Sequence, residues 1–310
     1  MNNQILGLHH ITAIANNAQA NFAFYTKVLG LRMVKKTVNF DDPGTYHFYY
    51  GNETGEPGTI LTFFPWEGIG PGRNGTGMAT DIRYAVPQGS LPFWAARFKE
   101  QNVLQQPIAE VFGSPSLSFQ DPDGLQLTLV EASNDKRTPW ITDAVGIETA
   151  TRGFHSVELS LKDSKATASV LTDLLGYQLI QSEGKRHRFA TSSVDTASII
   201  DILEIPEGRA GVSAAGTNHH IAFRVKDEEV QMAIREKILS KGLNITPKIN
   251  RDYFYSLYFR EPGGVLFEIA TDNPGFAVDE PVDQLGSSLR LPKQYEPARA
   301  KIEAELPKLN

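Results

Sequence analysis

Residues 261–269 read Glu261-Pro262-Gly263-Gly264-Val265-Leu266-Phe267-Glu268-Ile269. The acidic-Pro-x-Gly opening is a tight turn, because proline fixes φ and glycine supplies a positive φ. β-prone residues on both sides make it a hairpin, whose second strand is apolar except at Glu268. The same unit stands 140 residues earlier, where Asp121-Pro122-Asp123-Gly124 leads into Leu125-Gln126-Leu127-Thr128-Leu129. A second echo, spaced by 146 residues, matches Leu29-Gly30-Leu31 with Leu175-Gly176-Tyr177. Each copy follows a helix-like segment, Ala18 to Val28 or Ser164 to Leu174, and leads into a strand-like run.

Working outward, the echoes sit inside units of one make-up. A strand comes first, such as Leu8 to Ala15 or His219 to Val225. An amphipathic helix follows, such as Glu228 to Ser240, with Val230, Ile234 and Ile238 at four-residue spacing. Three strands close the unit, in the first case Arg32 to Asn39, Tyr46 to Tyr50 and Thr59 to Phe64. Four units fit, at about 5–66, 77–131, 152–205 and 217–271, within segments 1–75, 76–131, 152–205 and 206–272. A polar linker, 132–151, divides them two and two, and a tail, 273–310, ends in a helix-like stretch from Pro297 to Leu306 that should pack on the body. A βαβββ unit has one exposed sheet face and cannot bury it alone. The expected fold is therefore α+β, with four βαβββ modules paired into two curved eight-stranded sheets, each around a cavity.

The chain of 310 residues has no cysteine, which excludes disulfides, thiolate metal sites and a cysteine nucleophile. Any metal is left to histidine and oxygen ligands. The net charge of −6 comes with no basic stripe, so no nucleic-acid partner is expected. The short cluster Lys185-Arg186-His187-Arg188 reads as a solvated turn entering a strand. The start, Met1-Asn2-Asn3-Gln4, lacks the features of a secretory leader, and no apolar run is long enough for a membrane helix. A soluble, cytoplasmic protein is expected.

Four of the seven histidines form two doublets, and each doublet opens a unit: Leu8-His9-His10-Ile11-Thr12 and Asn218-His219-His220-Ile221-Ala222. Adjacent strand residues point to opposite faces, so one histidine of each pair should face the cavity unless a bulge intervenes. Thr12 should share the face of His10. Glu268 is costly in an apolar strand unless it is paired or binds a metal. Arg251 and Arg260 are the candidate partners for an ion pair. By repeat position, Glu268 corresponds to Thr128 and Thr62, and His220 to Asp81. Two imidazoles and a carboxylate form the facial set of a non-haem Fe(II) site, though Mn, Zn or Ni would also fit such ligands. His155, in Gly153-Phe154-His155-Ser156, reads as standing where His10 does, so a rival set of His155, His220 and Glu268 is open. His47 reads as structural and His187 as surface.

Four such units with a two-His, one-Glu set resemble the vicinal oxygen chelate superfamily, which includes glyoxalase I, extradiol dioxygenases and bleomycin-resistance proteins. The stretches Leu8 to Thr12, Gly58-Thr59-Ile60-Leu61, Arg152 to Ser156, Arg186-His187-Arg188 and Arg251 to Glu268 are most similar to the hydroquinone ring-cleaving dioxygenases, such as 2,6-dichlorohydroquinone dioxygenase. The resemblance covers nearly the whole chain. It implies metal ligation by His10, His220 and Glu268, pairing of the first unit with the fourth and of the second with the third, and a structural His155. In conventional extradiol enzymes the third unit supplies the first ligand instead. It further implies supporting roles for His9, Thr12, His219, Arg251 and Tyr258, with His9 or His219 as a general base near its ordinary pKa. Fe(II) as cofactor, O2 as co-substrate and a small aromatic substrate follow from the same likeness. A homo-oligomer is common in that superfamily.

Overall fold

The computed structural model describes residues 4–309; the start of the chain read above for a leader, Met1 to Asn3, lies outside the described residues, as does Asn310. The first unit contributes β1 (Leu8–Ala15), β2 (Arg32–Val38), β3 (Tyr46–Gly51) and β4 (Ile60–Pro65). The second contributes β5 (Met78–Pro87), β6 (Ala109–Val111), β7 (Ser114–Gln120) and β8 (Gln126–Ala132). The third holds β9 (Gly153–Leu161), β10 (Gln178–Glu183), β11 (Arg186–Ala190) and β12 (Ile199–Glu204). The fourth holds β13 (Thr217–Val225), β14 (Ile249–Asn250), β15 (Phe254–Arg260) and β16 (Leu266–Pro274). These strands form two eight-stranded sheets, in the orders β14-β15-β16-β13-β1-β4-β3-β2 and β10-β11-β12-β9-β5-β8-β7-β6. The α+β architecture of two curved sheets is the one expected from the repeats.

Both acidic-Pro-x-Gly turns close antiparallel hairpins, β7 with β8 and β15 with β16. Each acidic side chain folds back on its own turn. Asp121 accepts the backbone N–H groups of Asp123 and Leu125, and Glu261 those of Gly263 and Val265. Each also accepts a hydroxyl from another unit, Tyr25 in the first case and Thr167 in the second. The turns thus tie the two sheets together as well as reversing the chain. Gly216, at φ +77°, packs so closely on this joint that a Cβ there would lie 2.1 Å from the carbonyl oxygen of Asp123.

The helices differ between units. α2 (Leu91–Glu100) and α4 (Glu228–Ser240) are regular. α1 (Ala18–Ala23) and α3 (Lys165–Ser169) loosen at their ends, where the N–H of Leu29 reaches the carbonyl of Phe24 and that of Leu175 reaches Val170. These wider turns end at Gly30 and Gly176, both at positive φ, which explains the Leu-Gly echo. The tail crosses the first sheet, where buried Lys35 of β2 binds Asp279 and Glu280. It ends in α5 (Arg299–Glu305), whose Ile302 is buried. Among the described residues no helix is long and apolar enough to cross a membrane.

The basic cluster is an exposed turn at Lys185 that enters β11 at the exposed Arg186, as read, but Arg188 departs from that reading. In β11, Arg186 and Arg188 share a face, as strand alternation requires, with Arg186 at its exposed rim and Arg188 inside. Arg188 is buried and donates twice to Asp201, and Arg186 donates to Glu158. Arg83 of β5 completes the network by donating to Asp81, Glu158 and Asp201. The cavity face of the second sheet is therefore held by three guanidinium groups against three carboxylates.

Candidate metal centre

The paired strands β1 and β13 run antiparallel across the middle of the first sheet. Their ladder sets His10 opposite Ala222, Ile11 opposite Ile221 and Thr12 opposite His220. His10 and His220 therefore emerge on one face, two residues apart across the pair. The parallel partner β16 places Glu268 beside Ala222, on that same face. The Nε2 atoms of His10 and His220 lie 3.3 Å apart. Oε2 of Glu268 lies 3.2 Å from the first and 2.9 Å from the second. All three side chains are buried. Among the described residues these three form the group of histidine and carboxylate ligand atoms able to surround a cation.

The donor set fits a divalent metal. Oε1 of Glu268 accepts a hydrogen bond from Ser256, whereas Oε2, fully buried, takes no hydrogen bond of good geometry from the two nitrogens so close to it. Burial opposes ionisation of Glu268, yet the imidazoles of His10 and His220 hold its carboxyl well below the usual range. Two nitrogen lone pairs and one carboxylate oxygen converging on a common point suit Fe, Mn, Zn or Ni. Neither Arg251 nor Arg260 pairs with Glu268: Arg251 faces Asp41, and Arg260 donates to the carbonyl of Gly264.

Both doublets contain a bulge, the exception to strict alternation. The β1–β13 ladder passes from Leu8 to His10 and from His220 to Asn218, so His9 and His219 are its extra residues. This brings Nδ1 of His9 to 2.9 Å from Nδ1 of His10, and Nδ1 of His219 to 2.8 Å from Nδ1 of His220. An imidazole that ligates through Nε2 carries its proton on Nδ1, which it then donates to the neighbouring ring. Burial lowers His9 well below the ordinary imidazole value and lowers His219 to about 3. Neither ring thus has the ordinary pKa that the resemblance implied for a general base here.

His10 and His220 floor a cavity of about 340 Å3, walled by Phe40, Tyr49, Phe64, Trp66, Phe254 and Tyr258, with the Glu268 carboxylate behind the two rings. Thr12 stands at the floor, with Oγ1 2.9 Å from Nε2 of His220. Arg251 and Tyr258 line the same cavity, the guanidinium lying 5.5 Å from the Tyr258 ring centre. Burial and then the charge of Glu268 push Tyr258 up, so it remains a phenol. His219 also lines this cavity, whereas His9 faces a smaller one, of about 230 Å3, behind Phe254.

Two histidines sit differently from their sequence reading. In the β5–β9 ladder, Val157 pairs with Ile82 as Ile221 pairs with Ile11, so Ser156 occupies the place of His10, and His155 that of His9. The reading of His155 was one residue out of register. His155 lies on the second sheet, bonded to Ser156 and lining a separate cavity with Asp135 and Arg137. His47, read as structural, lines the first sheet's cavity beside Tyr49 and Phe64. It has no counterpart in the other units, so the repeat could not single it out. The alternation of β3 could have, since His47 and Tyr49 share a face, and Tyr49 pairs with Thr62.

Burial is the leading cause that lowers His9, His47, His155, His219 and His220. The unfolded chain takes up these protons below about pH 6.5 and the folded chain does not. Stability is thus fully present above that value and is lost as pH falls, by up to ~1.4 kcal/mol per pH unit for each such proton. The urea midpoint of metal-free protein is expected to drop steeply between pH 6.5 and 5. A flat midpoint there would show that these rings titrate alike in both states.

The sequence model of the Glyoxalase/Bleomycin resistance protein/Dioxygenase superfamily matches residues 7–129 and 153–269. The chain belongs to this superfamily. Curated relatives in it include "Putative ring-cleaving dioxygenase MhqO" of Bacillus subtilis (strain 168), 45% identical over 306 residues, with 99% of this chain and 97% of that protein covered. "Chlorohydroquinone/hydroquinone 1,2-dioxygenase" of Sphingobium indicum is 35% identical over 300 residues, covering 94% and 93%. A crystal structure of a "putative dioxygenase" from Bacillus subtilis superposes with a TM-score of 0.95 at 45% identity, covering 99% of this chain and 98% of that one. Glyoxalase I from Zea mays, 15% identical with a TM-score of 0.64 over 86% of this chain and 92% of its own, shares the fold of this superfamily member.

Proposed function

We propose that this protein is a ring-cleaving dioxygenase of hydroquinone-type aromatics, using Fe(II) and O2, with a role in detoxifying or degrading aromatic compounds in the cytoplasm. The observation that carries this reading is the meeting of His10, His220 and Glu268 beneath an aromatic-walled cavity. Three protein ligands leave room on the metal for exogenous ones. The named activities of the relatives supply the substrate class and the reaction. The bound iron would supply Lewis acidity toward a phenol oxygen and a route for electrons to O2.

The protein's own groups do the rest. His9 and His219 fix the tautomer and plane of the two ligand rings. The aromatic walls hold a flat substrate and exclude water. Arg251 can stabilise an anionic oxygen by a charge-assisted hydrogen bond, and Tyr258, kept protonated, can donate a second one. A glyoxalase-type site would use a fourth protein ligand. The position for it here is Thr62, whose hydroxyl is engaged by Thr12 and His47.

The test is anaerobic loading with Fe(II), followed by oxygen uptake with methylhydroquinone, catechol and the methylglyoxal–glutathione adduct in parallel. Uptake with methylhydroquinone is expected. One iron per chain with no uptake on any phenol would refute the dioxygenase reading. Iron retained in His10→Ala would refute the ligand set.

A further inference from the structure

One line of polar contacts leaves the metal centre through groups that the proposed chemistry does not use. Oγ1 of Thr12 lies 2.8 Å from Oγ1 of Thr62, which lies 3.0 Å from Nε2 of His47. Nδ1 of His47 lies 2.9 Å from the hydroxyl of Tyr49. All four residues are buried. The His47 ring is clamped between Tyr49 and Phe64, with centres 4.1 and 4.4 Å away.

The direction of this line can be deduced by counting protons. Burial keeps Tyr49 a phenol and His47 a neutral imidazole. Among the described residues the buried Tyr49 hydroxyl has Nδ1 of His47 as its one recorded hydrogen-bond partner, and we assign that nitrogen as its acceptor. A neutral ring that accepts at Nδ1 carries its proton on Nε2, so His47 donates to Thr62. Thr62, having accepted, turns its own hydrogen toward Thr12. Thr12 must then point its hydrogen away from the line, toward the cavity floor. There it meets Nε2 of His220, 2.9 Å away. Once that lone pair is committed to a metal, the hydrogen is left for an oxygen of whatever ligand sits above the floor.

We infer that Tyr49, His47 and Thr62 form a one-way hydrogen-bond line that makes Thr12 an obligate donor, so that the site selects ligands presenting an ionised phenol oxygen. The inference rests on the proposed metal site and names the ionisation state in which that site takes its substrate. Tyr49, His47 and Thr62 are positioning residues that act through Thr12.

Nitrohydroquinone is a suitable probe, because its phenolate form is coloured. Its colour is followed against pH on the anaerobic, Fe(II)-loaded protein, with iron content and melting temperature as controls of folding. In the unaltered protein the bound probe should ionise at lower pH than in water. His47→Leu and Tyr49→Phe should each raise that midpoint by about one unit, a tenfold loss of bound phenolate at a given pH. His47→Gln should restore it, since one amide can accept from Tyr49 and donate to Thr62. Iron-loaded, folded His47→Leu and Tyr49→Phe proteins with unchanged midpoints would overturn the inference and leave the proposed function standing. Iron bound without any probe bound in the unaltered protein would instead overturn the proposed function, and the line's role with it.

Discussion

Replacing Glu268 by glutamine is expected to remove stoichiometric iron while leaving the chain folded. Glutamine keeps the Oε1 that accepts from Ser256. In place of Oε2 it puts an amide nitrogen, whose hydrogens can satisfy the lone pair of His10 or His220 directly. The buried site stays neutral and hydrogen-bonded, but the negative ligand is gone. Outer-shell changes alone cost ~10–100-fold in metal affinity, so loss of a ligand should exceed about 100-fold. Iron content after loading and desalting, with Mn(II) titration calorimetry as a second measure, reads the effect. Near-normal metal content would mean that the carboxylate is no ligand. The metal-free stability of the variant should match or exceed that of the unaltered protein, because a buried charge has been removed.

The second large effect is expected on the other sheet, away from the proposed metal site. Arg83→Met strips the common partner from Asp81, Glu158 and Asp201. Breaking a buried ion network by removing one sign costs ~3–5 kcal/mol. Glu158 and Asp201 keep Arg186 and Arg188, but Asp81 keeps only the hydroxyl of Thr128. Asp81→Asn in the same chain should therefore recover part of the loss. Urea unfolding measures both variants, and a change under about 1 kcal/mol for Arg83→Met would show that the network contributes nothing. By strand register Arg83 corresponds to Thr12, Asp81 to His10 and Asp201 to Glu268. One sheet gathers ligands for a metal where the other gathers carboxylates around a guanidinium.

Much of this was legible in residue order, and the exceptions have physical causes. The acidic-Pro-x-Gly turns and the Leu-Gly helix ends are local, and the structure places them as read. The two doublets and Glu268 stood out because a repeat makes an unusual residue visible in its context. The bulges at His9 and His219 were not visible, since an extra residue in a ladder leaves no mark on composition. The register of His155 failed for a related reason: a slip of one residue exchanges the two faces of a strand. Arg188 read as part of a solvated turn and Arg83 carried no mark at all, because their carboxylate partners lie on other strands. His47 depends on Thr62 and Tyr49 in the same way.

The strand order also has a consequence for how the protein is made. His10 belongs to β1, which pairs with β13, and Glu268 belongs to β16. On the ribosome, every strand of the second sheet has been synthesised by residue 204, yet the first ligand must wait for residue 268. The β13-facing edge of β1 waits for its partner until residue 225, and the proposed ligand set waits for its carboxylate until residue 268. A chain cut short before Glu268 would carry one complete sheet and two of the three proposed ligands at most. Assembly of the proposed metal site is thereby placed late in biosynthesis, after the second sheet is complete.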